Sequence, residues 1–276
     1  MHRTSIRYTK YLRINHRRQV RINMYEISMS EASSEFAECW KAAGIHIQNQ
    51  AQGGLRGWLK ADLNSPFLEH LSFRLGNQLF FIRIIDVDGQ IETPGSSEGL
   101  KMIAEACEGH ACFMPLKKVN GQWIAIERGW GLINAESIEI NPVELITDER
   151  IVMTDWELQD FAVQIVRDSL VKQGKELTSW HGNPAVHPSL WFVGDTGLEW
   201  VVVKAARWPE RECEIPENIN EIADRVKRIG QKGHFALVKV ASANDPFDPM
   251  AKTNGNFIQL YRGEQLSASY QGLSDL

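Results

Sequence analysis

Asn120-Gly121-Gln122-Trp123-Ile124-Ala125-Ile126-Glu127-Arg128-Gly129 returns later in the chain as Asn254-Gly255-Asn256-Phe257-Ile258-Gln259-Leu260-Tyr261-Arg262-Gly263. Asn-Gly between apolar runs is a strong hairpin signal, because both residues accept the left-handed backbone of a tight turn. Working outward, each stretch is preceded by a Gly-His that opens an apolar run, Gly109-His110 and Gly233-His234. Further upstream, Phe73 parallels Phe192, the Trp-bearing Gly57-Trp58 parallels Ser179-Trp180, and Phe36-Ala37 parallels Phe161-Ala162. The offsets stay between 119 and 134 residues, the pattern of an internal repeat with loop insertions.

The periodicities within each copy agree. Phe36, Trp40 and Ala43 predict a helix over residues 35–43 that Gly44 ends. Strands follow over 55–61 and 68–75, and the almost continuously apolar 78–87 reads as a central strand covered on both faces. Ser97 is expected to cap a helix that buries Leu100, Ile103, Ala104 and Cys107. Strands 110–119 and 122–127 close the copy. The second copy opens on Thr154-Asp155-Trp156-Glu157, a capping box, with a helix to Lys172. Strands 188–193 and 198–206 and a helix over Ile219–Ile229 follow, then strands 234–242 and 256–262. The expected fold class is α/β (α+β): two tandem copies of an αβββαββ unit, each a mixed central sheet with helices packed on it. The expected divisions are an arm over 1–23, a first copy over 24–146 and a second over 147–276.

The 276-residue chain has a net charge of −5, yet residues 1–21 hold seven bases and no acid, which leaves −12 for the remainder. So acidic a body repels phosphate backbones and favours a basic protein partner over nucleic acid. The arm has two readings: a tether for nucleic acid or a membrane surface, or an upstream extension with translation starting at Met24, the second being favoured. Apolar runs stay far below the ~20 residues that span a bilayer, so no membrane partner is expected. Cys39, Cys107, Cys112 and Cys213 form no C-x-x-C and no even framework, which suits the cytoplasm. Cys107, His110 and Cys112 match no common zinc spacing and read as core thiols beside a histidine. No P-loop, dinucleotide fingerprint or nucleophile elbow occurs, and no cofactor or resident metal is expected.

The element order, with Pro188-Ser189-Leu190-Trp191-Phe192 followed by Glu199-Trp200-Val201-Val202-Val203-Lys204, resembles the PD-(D/E)XK nuclease-like superfamily. That resemblance implies a divalent cation held by two carboxylates, with a lysine positioning the attacking water. Here Ser189 stands where the aspartate belongs, Val202 where the glutamate belongs, and Lys204 matches the lysine. In the first copy Glu69-His70 aligns with Pro188-Ser189, and Ile82 and Ile84 with Val202 and Lys204. The oxygen donors are missing from both, so a degenerate, non-catalytic unit is expected. A surviving nuclease would rely on Lys204 and Ser189 with a relocated acid, Glu221 or Asp224. A third reading is a secretion-type chaperone, which small dimeric chaperones of similar element order and acidity suggest. For binding, Trp180, Trp208 and Phe247 are the candidate surface anchors, Trp being prominent in binding hot spots. Asp245 and Asp248 flank Phe247 in the Pro-rich insertion and complete the set. The favoured function is a non-catalytic macromolecule-binding factor of immunity, antitoxin or anti-nuclease type.

Overall fold

The computed structural model describes residues 6–8, 25–27, 33–51, 58–60, 71–91, 93, 96–195, 197–230 and 232–276. Near the N-terminus, β1 (Ile6–Tyr8) pairs antiparallel with β2 (Tyr25–Ile27). The rest of the basic arm lies outside the described residues, as do the expected strand segments 55–57 and 68–70 and the Glu69-His70 pair. The chain divides into two compact units, one over Ser30–Ile151 and the other over Val152–Leu276, with which β1 and β2 are grouped.

In the first unit, α1 (Ser34–Gln50) is capped by Ser33, whose hydroxyl accepts the Phe36 N–H at 3.0 Å. The expectation that Gly44 ends this helix is wrong. Ile47 extends the buried stripe of Phe36, Cys39, Trp40 and Ala43 by another turn, and that burial outweighs the ~1 kcal/mol cost of a mid-helix glycine. Next come β3 (Trp58–Lys60), β4 (Leu71–Leu75), β5 (Gln78–Asp86) and α2 (Ser97–Ala106), then β6 (His110–Val119) and β7 (Gln122–Ala125). The α2 cap is Ser96, one residue before the one expected, with its Oγ accepting the Gly99 N–H. The sheet order is β3-β4-β5-β6-β7, and only the β5–β6 pair is parallel. Phe80, Ile82 and Ile84 face the α1 core, together with Cys112, Met114 and Leu116 of β6.

The second unit starts with α3 (Asp155–Lys172). Its capping box is complete: Thr154 accepts the Glu157 N–H, and Glu157 accepts the Thr154 N–H. Strands β8 (Glu176–Trp180), β9 (Leu190–Gly194) and β10 (Gly197–Arg207), helix α4 (Ile219–Val226) and strand β11 (Lys232–Ser242) follow. A short helix α5 (Ala251–Asn254) precedes β12 (Leu266–Tyr270) and β13 (Ser274–Asp275). The order β8-β9-β10-β11-β12 again has one parallel pair, β10–β11. Leu190, Val201, Val203, Val238 and Val240 pack under α3, while Trp191, Trp200, Val202 and Phe235 pack under α4. Trp191 and Trp200 are register partners on adjacent strands.

Residues 256–262 are not the closing strand; β12 takes that place. Asn254-Gly255 ends α5, with Gly255 at φ +71 as its left-handed cap. The following segment docks on the start of α3 instead. Met153 N–H donates to Leu260 O at 2.8 Å, and Arg262 grips Glu157 with Nε and one terminal nitrogen, both at 2.9 Å. This ion pair is nearly sealed from water, with side-chain exposures of 1% and 9%. Glu157 thereby serves both the helix cap and the loop return. These units establish an α+β fold with mixed sheets.

Candidate functional site

Ser189 immediately precedes β9, at the end far from the Gly194–Gly197 turn, and lies beside the Val201–Val203 stretch of β10, since Leu190 pairs with Val201. Ser189 is buried; its N–H donates to Val201 O at 2.8 Å, and its Oγ accepts the Val203 N–H at 3.2 Å. The hydroxyl is thus spent on the sheet. Val202 is fully buried beneath α4, and Lys204 follows two residues on, along the same face. Lys204 is half-buried, and desolvation lowers the pKa of its ammonium. His187 lies near it with a buried, unpartnered Nδ1. Burial, then the charges of Lys204 and Arg225, push the imidazole down to about 4.

The structure therefore sets Ser189 beside the Val201–Val203 stretch and Lys204 two residues beyond Val202, with His187 and the Cys213 thiol near the lysine. Glu221 and Asp224 are exposed on α4, and Asp224 is paired with Lys227 at 3.0 Å. Glu199 points the other way, as its odd spacing from Lys204 requires, and its Oε2 lies 2.6 Å from His234 Nε2. Asp195, in the β9–β10 turn, pairs with Lys175. Among the described residues, no group of three or more His, Cys, Asp or Glu side chains is placed to hold a metal ion. Cys107 and Cys112 are buried, burial pushes the Cys112 thiol up to about 12, and His110 bonds to Gln78 Oε1 at 2.9 Å.

The alignment of Ile82 and Ile84 with Val202 and Lys204 is off by one residue. Ile82 and Ile84 face α1, the side that corresponds to α3 in the second unit. Aligning the units on their Gly-His openings, where Phe80 pairs with His110 and Val201 with His234, puts Arg83 opposite Lys204. A single-residue slip exchanges the two faces of a strand, so this error reverses every side chain.

The aromatic candidates separate into two places. Trp180 ends β8, half-buried against the α3 core with the Arg167 guanidinium 5.1 Å from its ring centre. Trp208 and Phe247 meet edge-on with ring centres 5.6 Å apart. They meet because β10 and β11 run parallel: the Trp208 N–H donates to Val240 O, so the loops leaving both strands emerge side by side. The outer end of parallel strands is where open α/β sheets collect ligands. A cavity of about 310 Å³ lies there, lined by residues 208–212 and by Asp248, Pro249, Ala251 and Lys252.

Phe247 is 47% exposed and sits at φ +52, a left-handed backbone that a bulky residue rarely adopts. Asp245 holds it so. That buried carboxylate accepts the Phe247 N–H on Oδ1 and the Ile258 N–H on Oδ2, both at 2.7 Å. Asp248 accepts amide N–H groups from Asn254 and Asn256 and the backbone N–H of Met250, which hold its carboxyl below the usual range. Both acids thus build the loop. Lys252 ties it to Glu210 at 2.7 Å, Arg211 stacks 5.0 Å from the Trp208 ring centre, and Met250 is 57% exposed. Met250, Arg211 and Lys252 escaped sequence reasoning; their only signal was closeness to Trp208 and Phe247.

Among the described residues, no helix is long and apolar enough to cross a membrane. A family model described as a domain of unknown function (DUF8840) matches residues 156–276, from the first turn of α3 through both cleft loops. No curated protein and no solved structure matches the chain.

Proposed function

We propose that this chain is a non-catalytic binding protein of the immunity, antitoxin or anti-nuclease kind. In this reading it is built from a duplicated nuclease-like unit that has lost its cation donors, works in the cytoplasm, and receives a basic protein at the Trp208–Phe247 cleft. Phe247 carries the reading. An exposed aromatic ring, held in a costly backbone conformation by a buried carboxylate and braced on a tryptophan, is a preorganised anchor. Charge supports the choice of partner: the segment 208–217 holds Glu210, Glu212, Glu214 and Glu217 against Arg211 alone. Such an excess steers a cationic surface toward the cleft. The four free cysteines agree with a reducing compartment.

The test compares two baits, wild type and Phe247→Ala, in a quantitative pull-down from the native host. A basic protein retained by wild type and depleted at least ~10-fold with Phe247→Ala is the expected result, the size of a hot-spot loss. Equal recovery on both baits would remove the cleft from the account.

A further inference from the structure

The two five-strand orders end in four edge strands, and two of these carry a charge: Lys60 lies in β3 and Glu176 opens β8. Such charges keep sheet edges from pairing with other chains. β7 and β12 carry none, and of the two β12 has the longer uncharged run: from Gln265 through Leu273 there is neither a charged residue nor a proline. β12 lies at the end of its sheet, and among the described residues nothing pairs with its outer side.

The ladder parity shows which groups face outward. Ala243 N–H donates to Gln265 O, and Ser242 pairs with Leu266. Hydrogen-bonded pairs alternate with non-bonded ones along an antiparallel ladder. Ser267 and Ser269 therefore spend their backbone groups on β11, while Leu266, Ala268 and Tyr270 turn their N–H and C=O groups outward. Ser267, Ala268 and Ser269 are all exposed.

We propose that β12 pairs antiparallel with β12 of a second copy of this chain, about a two-fold axis at Ala268. A two-fold contact sets each residue opposite a fixed partner. Ala268 meets Ala268, Ser267 meets Ser269, and Leu266 meets Tyr270. No like charges oppose each other in this register, and the residues nearest the axis are small enough for close approach. Outward N–H and C=O groups of one copy meet those of the other, joining two five-strand orders into one continuous sheet. The flat stretch is bounded at Gly272, where φ reaches +105 and the partner register with β11 shifts by one residue before β13. The contact is short, so the dimer is weak and concentration-dependent.

Sedimentation of the full chain from micromolar to millimolar concentration tests this. Wild type is expected to dimerise, and Ser267→Lys with Ser269→Lys to weaken the dimer at least ~10-fold by setting lysine against lysine twice. Ser267→Lys with Ser269→Glu sets lysine against glutamate at both places and restores it. Both positions are exposed, and thermal melting confirms that the variants are folded. Hydrogen exchange of the wild type needs no variant: the amides of Leu266, Ala268 and Tyr270 slow as concentration rises. A chain that stays monomeric at millimolar concentration overturns the proposal. So does a dimer indifferent to both lysines, a charge pair that restores nothing, or exchange at these amides that ignores concentration.

Discussion

The two units share one frame and differ mainly in one connection. In each, a helix precedes three antiparallel strands, a second helix leads to a parallel strand, and an antiparallel strand closes the edge. Each parallel strand opens on Gly-His, and each histidine reaches the residue two positions before its strand partner. In the first unit His110 Nε2 meets Gln78; in the second His234 Nε2 meets Glu199. The second unit adds Asp275, whose Oδ1 is 3.0 Å from His234 Nδ1 but off the hydrogen-bond direction. The divergence comes after the parallel strand. β6 turns into β7 through Asn120-Gly121 alone, whereas residues 243–265 separate β11 from β12. The aromatic cleft is built from that excursion and the β10–α4 loop. Two sheets of the same strand order can thus have like cores while a longer connection gives one of them a surface, since loops vary at less cost than buried ladders.

The largest expected effect tests whether the Gly-His openings are equivalent in packing as well as in register. A Cβ on Gly233 would stand 2.2 Å from the buried Trp200 ring. One on Gly109 would stand 2.9 Å from Phe81 and 3.0 Å from Leu79 O. Gly233→Ala should cost about 3 kcal/mol and Gly109→Ala about 1–2 kcal/mol, because the closer approach at Gly233 forces the larger shift of a buried ring. Urea denaturation of both variants measures the difference, and equal losses would mean that Trp200 can swing aside. The next effect belongs to the second unit. His187 titrates near 4 when folded against an ordinary 6.5. Between those values the unfolded chain binds the proton and the folded one does not. Stability therefore falls as pH falls through that window, by up to about 1.4 kcal/mol per pH unit. His187→Asn should flatten the wild-type slope between pH 6.5 and 4; an unchanged slope would assign it to other groups.

Features whose cause is local could be read directly from the sequence. The Thr154–Glu157 box, the Asn120-Gly121 hairpin and the doubly covered run of β5 each depend on residues within one turn or one strand. The sequence also singled out Trp208 and Phe247, but their contact depends on the parallel pairing of β10 with β11, and no local pattern encodes that. The slip at Ile82 arose for a related reason. A strand buried on both faces has no polar alternation to mark which side chains point where, so its register was invisible until its neighbours were placed. Gly44 misled because the stripe reaching Ile47 outweighs a single weak residue.

The repeated Asn-Gly yields the smallest effect and the sharpest comparison. Gly121 lies in a hairpin turn at φ +81, after Asn120 at φ +50; Gly255 caps α5 at φ +71. Neither glycine has a neighbour within 4 Å of an added Cβ. Alanine at either place therefore pays only for the left-handed backbone, about 1 kcal/mol. Nearly equal losses for Gly121→Ala and Gly255→Ala in urea melts are expected, although one glycine closes a ladder and the other ends a helix. The asparagines should behave differently. Asn120→Ala loses a residue that tolerates the same left-handed conformation, whereas Asn254 is helical and its amide holds Asp248 at 2.8 Å. Asn254→Ala should therefore act on the cleft loop, by loosening Asp248, more than on the fold. If Gly121→Ala proved far costlier than Gly255→Ala, the dipeptide would encode a hairpin, and its second appearance would be a chance resemblance. Matched costs would show that it encodes a left-handed backbone step, which each unit puts to its own use.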